Sequence, residues 1–285
     1  MLGASPPGRR PVSREWTIDR PARVVVATGE DAAGAAAAAV ARLLPDVVPS
    51  PAIVVDGIGR GRLPDARHDP VTAVVATVGD RGAAVSRAQA ASRLGRAVGL
   101  LRGEAGWIPR ASPPGGRVGT VLVPGGLDAA GTLVGVGRLA PGVGTGSPPR
   151  DLPGLRVWAG LAHPRQAVAA GLAGDRLGVL GEVAYAVVAG AQVVLTVLLV
   201  RLAGRPVAIG GADPLAVDLA GLALVSRGEE PDALGAWQHP AVQRAAALGL
   251  GVPGPHALRV EVDPAGWPAP PEALIAQVRA RLGLP

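Results

Sequence analysis

The stretch Ala208-Ile-Gly-Gly-Ala-Asp-Pro-Leu-Ala-Val-Asp-Leu-Ala-Gly-Leu-Ala-Leu-Val-Ser-Arg227 reads as the end of a buried strand, a tight Gly-Gly turn and an amphipathic helix. Asp213 stands where a helix N-cap belongs, and Pro214 follows at the first helical position, where its missing N–H costs nothing. Leu215, Leu219 and Leu222 recur at helical spacing, and Ala220 and Gly221 let a neighbour approach closely. Asp218 is the one charge in this apolar run, and a charge in that setting needs a partner.

The same strand-then-helix order occurs at the start of the chain. Arg23–Thr28 is a β-branched run, Gly29-Glu30-Asp31 a turn with Asp31 available as cap, and Ala32–Leu44 an Ala-rich helix ended by Pro45. Pro51–Asp56 is a second strand. Two strands around a helix make a βαβ unit, so the expected fold is α/β: a mostly parallel or mixed sheet flanked by helices, in a single large domain. Residues 1–20, rich in Pro and Arg, are expected to be a disordered arm and residues 21–285 the domain. The Gly-, Ser- and Pro-rich segment 141–153 reads as an exposed loop or linker.

Further along, Val71–Val78 fits helix or strand, and Ser86–Leu101 reads as a surface helix with a basic outer face. Gly115–Val123, Val134–Leu139 and Leu155–Ala159 read as strands. Pro164–Gly174, Pro240–Leu250 and Pro271–Leu282 read as helices, and Leu258–Val262 as an edge strand. Asp-Pro at 69, 213 and 263 marks turns and helix starts. Val183–Val200 is eighteen residues without a charge. A single membrane span and a buried helix followed by a buried parallel strand both produce that hydropathy.

Composition excludes several classes of chemistry. The 285 residues contain no Cys, which removes disulfides, iron–sulfur clusters and Cys-type zinc sites. Lys and Asn are also absent, so all 28 basic side chains are Arg, a bias that a GC-rich genome explains. Schiff-base and P-loop lysines are thereby excluded. The net charge of +6 comes from scattered Arg residues without interleaved aromatics, so no nucleic-acid partner is expected. Arg9-Arg10 has no apolar run behind it, as an export signal requires, and the cytoplasm is the default.

Gly57-Ile-Gly-Arg-Gly61 and Gly142-Val-Gly-Thr-Gly146 resemble phosphate loops only superficially. Arg62 stands where the third glycine of a dinucleotide fingerprint belongs, and the second segment runs into Ser147-Pro-Pro149 rather than a helix. His68, His163, His239 and His256 show no metal-ligand spacing, so no metal is expected and no cofactor is assigned. His163 is kept as a general-base candidate. No Gly-x-Ser-x-Gly elbow occurs.

Gly210-Gly-Ala-Asp-Pro-Leu-Ala-Val-Asp218 and its helix, followed by Pro240–Gly251 with its Gly-Leu-Gly ending, resemble the C-terminal part of the domain-of-unknown-function 362 family, whose members carry a D-P-V-A-V-D signature after a buried strand. The family's K-P-N and K-T-H segments have no counterpart here; the nearest to the second is Gly137-Arg-Leu-Ala-Pro141. Thr196 or a neighbouring aliphatic stands where relatives carry an acidic residue, and their ferredoxin-type cysteines are missing. The resemblance implies an α/β small-molecule-binding or accessory protein that has lost the family's polar positions. The alternative is an enzyme acting on an acidic small molecule through Arg138, His163 and Asp218, brought from loops to the carboxyl edge of the sheet. A small molecule, a protein partner or a second copy of the chain are the partners considered.

Overall fold

The uncharged run Val183–Val200 folds as the end of one helix and most of one strand, separated by a turn at residues 189–192. The computed structural model describes residues 22–58, 68–89, 106–139, 152–163, 165–166, 176–202, 204–225, 237, 240–251, 254–265, 267 and 271–281. The expected arm at 1–20, residues 90–101 of the expected basic helix and residues 141–151 of the expected loop lie outside these. Among the described residues no helix is long and apolar enough to cross a membrane. The helix–strand reading of this run is therefore the correct one, and the spanning alternative is not.

In chain order the elements are β1 (Ala22–Thr28), α1 (Ala32–Leu43), β2 (Ala52–Asp56), α2 (Pro70–Gly79), β3 (Val85–Gln89), β4 (Trp107–Ala111), β5 (Thr120–Pro124), β6 (Thr132–Arg138) and α3 (Pro153–Ala159). There follow α4 (Arg176–Val188), β7 (Val193–Leu202), β8 (Arg205–Gly211), α5 (Pro214–Val225), α6 (Pro240–Ala247), β9 (Leu258–Val262) and α7 (Pro271–Arg281). Seven strands form one sheet in the order β3-β2-β6-β7-β8-β1-β9, and β4 and β5 pair separately as an antiparallel hairpin. In the large sheet only β8 runs against its neighbours. The chain is thus a single α/β domain with a mixed sheet flanked by helices.

The interior strands are apolar on both faces, as a sheet covered by helices requires. Val24–Ala27, Ala52–Val55 and Val194–Val200, with Thr196 among them, are all buried. Alternation along each strand divides these side chains between two layers. On one face α1 and α2 pack over Val54, Val134, Val136 and Val197. On the other, α3, α4 and α5 pack over Val24, Ile53, Val55, Leu133 and Leu198.

A core without Phe gains little per side chain, since each buried methylene contributes only about 0.8 kcal/mol. It compensates by close approach. A Cβ on Gly210 would come within 2.8 Å of Leu43 Cδ1, and one on Gly211 within 2.9 Å of Val217 Cγ2. These two glycines are therefore the last residues of β8 and not a turn, as the sequence suggested. They let α1 and α5 lie directly on opposite faces of the sheet, and the turn falls at Ala212-Asp213. Among the described residues Trp158 is the one fully buried ring, seated where a Cβ on Gly135 would meet it at 2.7 Å. Its Nε1–H donates to Thr196 Oγ1 at 2.8 Å, so neither polar atom is stranded.

Three other expectations need correction. Leu155–Ala159 belongs to helix α3, not to a strand: Pro153 opens the helix and a distant carboxylate caps it, signals that a five-residue apolar run does not display. Ser86–Gln89 is part of edge strand β3, paired with β2 from Ala52↔Val85 to Asp56↔Gln89. Within Gly115–Val123, only residues 120–123 are strand, because 112–119 is the connection from β4 to β5.

Candidate functional site

The topology marks one place before any side chain is considered. β2 hands the chain to α2 on one face, while its neighbour β6 hands it to α3 on the other. Adjacent strands whose connections leave in opposite directions open a crevice outside their carboxyl ends, where α/β sheets bind ligands.

Asp56 closes β2 and Arg138 closes β6. Asp56 is paired with Val136 in the register, so Arg138 stands two residues farther on and on the same face. Strand rise and spacing put their Cα atoms about 8 Å apart. Arg138 is half-buried and makes no hydrogen bond or ion pair among the described residues.

Asp56 is engaged elsewhere. Its Oδ1 accepts from Ile58 N at 3.2 Å and its Oδ2 from Arg87 Nη2 at 2.9 Å. Arg87 reaches across with its other nitrogen, Nη1, to Asp69 Oδ2 at 2.7 Å. Asp69 is also the N-cap of α2, accepting from Val71 N at 3.3 Å and from the Thr72 hydroxyl at 2.7 Å. Burial works against the charge on Asp69, but the Thr72 hydroxyl, the Arg87 guanidinium and the Val71 N–H outweigh it and hold its carboxyl below the usual range. Burial also opposes the charge on Arg87, and Asp56 and Asp69 more than offset it. At the neighbouring helix start, Asp31 caps α1 through Gly34 N at 2.8 Å and meets His68 Nδ1 at 3.1 Å. Its carboxyl is lowered too, burial being outweighed by Gly34 and His68.

The three residues singled out from sequence do not meet. Only Arg138 stands at the crevice. Asp218 is fully buried in α5, and its oxygens accept from Gly154 N at 2.7 Å and Leu155 N at 3.0 Å. It caps the start of α3 from another helix, since Leu152 at the N-cap position supplies no side-chain bond, and this is a structural use of the charge. His163 lies past the end of α3 against the small hairpin, edge-on to Trp107 with ring centroids 4.8 Å apart. Its Nδ1 accepts from Arg165 N at 3.2 Å, which puts the neutral ring's proton on Nε2. No described contact links it to Arg138 or Asp218.

Asp213 caps α5, its Oδ1 accepting from Leu215 N at 2.9 Å and Ala216 N at 3.2 Å. Both aspartates of the D-P-x-A-V-D segment are therefore helix caps. The segment also touches the Gly-Leu-Gly turn, because a Cβ on Gly251 would lie 2.8 Å from Asp213 Oδ1. The motif pieces behind the family resemblance thus form one packing unit.

Glu182 escaped the sequence reading. It is fully buried in α4, and its Oε2 accepts from Arg117 N at 2.7 Å and Val118 N at 3.1 Å, pinning the β4–β5 connection. Arg244 Nη2 stands 3.7 Å from its other oxygen. The available signal was a lone acid immediately before an uncharged run. Among the described residues no group of three or more His, Asp or Glu is placed to hold a metal ion. Comparison with protein-family models, curated proteins and solved structures finds no match to this chain.

Proposed function

We propose that this domain binds a small acidic molecule in the crevice between the carboxyl ends of β2 and β6, with Arg138 as the anion's anchor. The observation that carries the reading is a half-buried guanidinium with no partner among the described residues at the sheet's topological switch point. A guanidinium offers five fixed N–H donors and retains its charge at any working pH, so a carboxylate or phosphate is its natural complement. The ion pairs among Asp56, Asp69 and Arg87 support the same reading, because they give both carboxylates a cation other than Arg138. The reading does not draw on the likeness of residues 210–251 to the domain-of-unknown-function 362 family, since the residues behind that likeness serve as caps and packing.

The test is calorimetric titration with inorganic phosphate and with citrate at constant ionic strength, on the wild-type chain and on Arg138→Ala. At least one of the two anions is expected to bind the wild type, and the variant to lose about tenfold or more in affinity, in line with loss of a charged hydrogen bond. Binding of neither anion, or equal binding by the variant, overturns the reading.

A further inference from the structure

We infer that Arg87 is a positioning residue for this anion site: by holding Asp56 and Asp69 together it prevents Asp56 from pairing with Arg138. The inference rests on the reading of Arg138 just given. Among the charged side chains at this end of the sheet are two carboxylates, Asp56 and Asp69, and two guanidiniums, Arg87 and Arg138. The two cations are not shared evenly. Arg87 Nη2 takes Asp56 at 2.9 Å and Arg87 Nη1 takes Asp69 at 2.7 Å, while Arg138 takes neither.

Distance does not explain the asymmetry. Asp56 and Arg138 project from the same face of neighbouring strands, about 8 Å apart at Cα, within the combined reach of an Asp and an Arg side chain. Strand β3 explains it. β3 lies on the far side of β2, and the register sets Arg87 opposite Val54, two residues before Asp56 and on the same face. From there the planar fork of a guanidinium spans both carboxylates, and Ile58 N occupies the remaining oxygen of Asp56. The α2 cap holds Asp69 in place for its half of the bridge.

The sheet order therefore gives each strand end a task. β3 supplies the cation that neutralises β2, and β6 keeps its cation for a ligand. Without Arg87, Asp56 is a carboxylate with one backbone donor among the described residues, and the unengaged guanidinium of Arg138 stands within its reach. A site occupied internally in most molecules binds its ligand more weakly by the fraction left open.

The experiment titrates the same two probes, inorganic phosphate and citrate, into Arg87→Met, Asp56→Asn, the double variant and Arg138→Ala, with thermal unfolding recorded for each. Arg87→Met is expected to weaken binding about three- to tenfold, the range of one competing ion pair. Adding Asp56→Asn to it is expected to restore binding to within about twofold of Asp56→Asn alone. Restoration sets positioning apart from direct contact, because a guanidinium that touched the anion could not be replaced by removing a carboxylate. Loss in Arg87→Met without restoration overturns the inference, as does an Arg87→Met variant that binds like the wild type while Arg138→Ala does not. Full binding by Arg138→Ala overturns the underlying reading instead. Should Arg87→Met fail to fold, Arg87→Lys retains the charge but cannot fork across two carboxylates. It is then expected to bind more weakly than wild type, and equality overturns the inference.

Discussion

Asp218 and Arg138 stand at opposite extremes of how this chain treats a charge. Asp218 is fully buried and its two oxygens accept two backbone N–H groups at the start of α3. Arg138 is half-buried at the end of a strand and takes no protein partner among the described residues. Glu182 falls with Asp218, since it too is enclosed and accepts two backbone N–H groups. A charge that fastens two distant segments is explained by the fold alone. A charge brought to the carboxyl end of a strand with no counter-charge among the described residues is left for the proposed anion to complete. Burial and partners separate the two kinds, whereas both look alike as lone polar residues in an apolar sequence.

The largest effect expected from breaking this comparison is at Asp218. Replacing it by Ala strands two buried N–H groups and removes the anion at a helix start, and each stranded group costs about 1–3 kcal/mol. Asp218→Ala should therefore lose about 3–5 kcal/mol in urea unfolding, and Asp218→Asn about half of that, because an amide oxygen still accepts one bond. A loss under about 1 kcal/mol for the Ala variant would detach Asp218 from the fold and return it to the candidates for chemistry.

What the sequence disclosed follows from how far apart the interacting residues lie. Caps are local: Asp31, Asp69 and Asp213 sit one residue before their helices, and their roles were readable there. The Val183–Val200 run was readable as helix and strand through Gly190 and the β-branched second half. The partner of Asp218 lies 64 residues away, so its need for a partner was visible and its identity was not. α3 was misread as a strand for the same reason, since its cap comes from α5. Arg138 was picked out as a candidate, but its place beside Asp56 and Arg87, with no counter-charge among the described residues, follows from the sheet order, which sets β2 and β6 side by side and β3 beyond. No local pattern encodes that order. Glu182 was passed over because a single acid beside an apolar run looks the same whether it faces solvent or a loop.

A smaller effect should appear on the acid side. Asp31 and Asp69 have folded carboxyls lowered from their ordinary values. Such a group binds fewer protons folded than unfolded, so its stabilisation is complete above the unfolded pKa and is lost as pH falls through the folded one. Asp31→Asn/Asp69→Asn retains both caps, because Asn caps about as well as Asp, and removes only the charges. The stability gap between wild type and this variant should be largest near pH 6, begin to narrow below about pH 4 and close in stronger acid. A gap that stays constant down to the acid transition would show that the caps act through hydrogen bonding alone, and would remove charge from the account of these helix starts.

The smallest effect is the most telling one. Arg138→Ala should change stability by no more than about 0.5 kcal/mol, because the guanidinium makes no hydrogen bond or ion pair among the described residues and its methylenes lie at a half-exposed strand end. The same substitution should abolish the anion's ability to raise the unfolding midpoint, since a ligand stabilises only the state that binds it. Measured together, unfolding without anion and with saturating phosphate or citrate give the two quantities on one scale. A loss above about 1 kcal/mol without anion would place Arg138 beside Asp218 as a fold-holding charge and dissolve the distinction drawn between them. Near-identity without anion, combined with a lost response to it, is the pattern of a side chain that the sheet positions but does not use for its own stability.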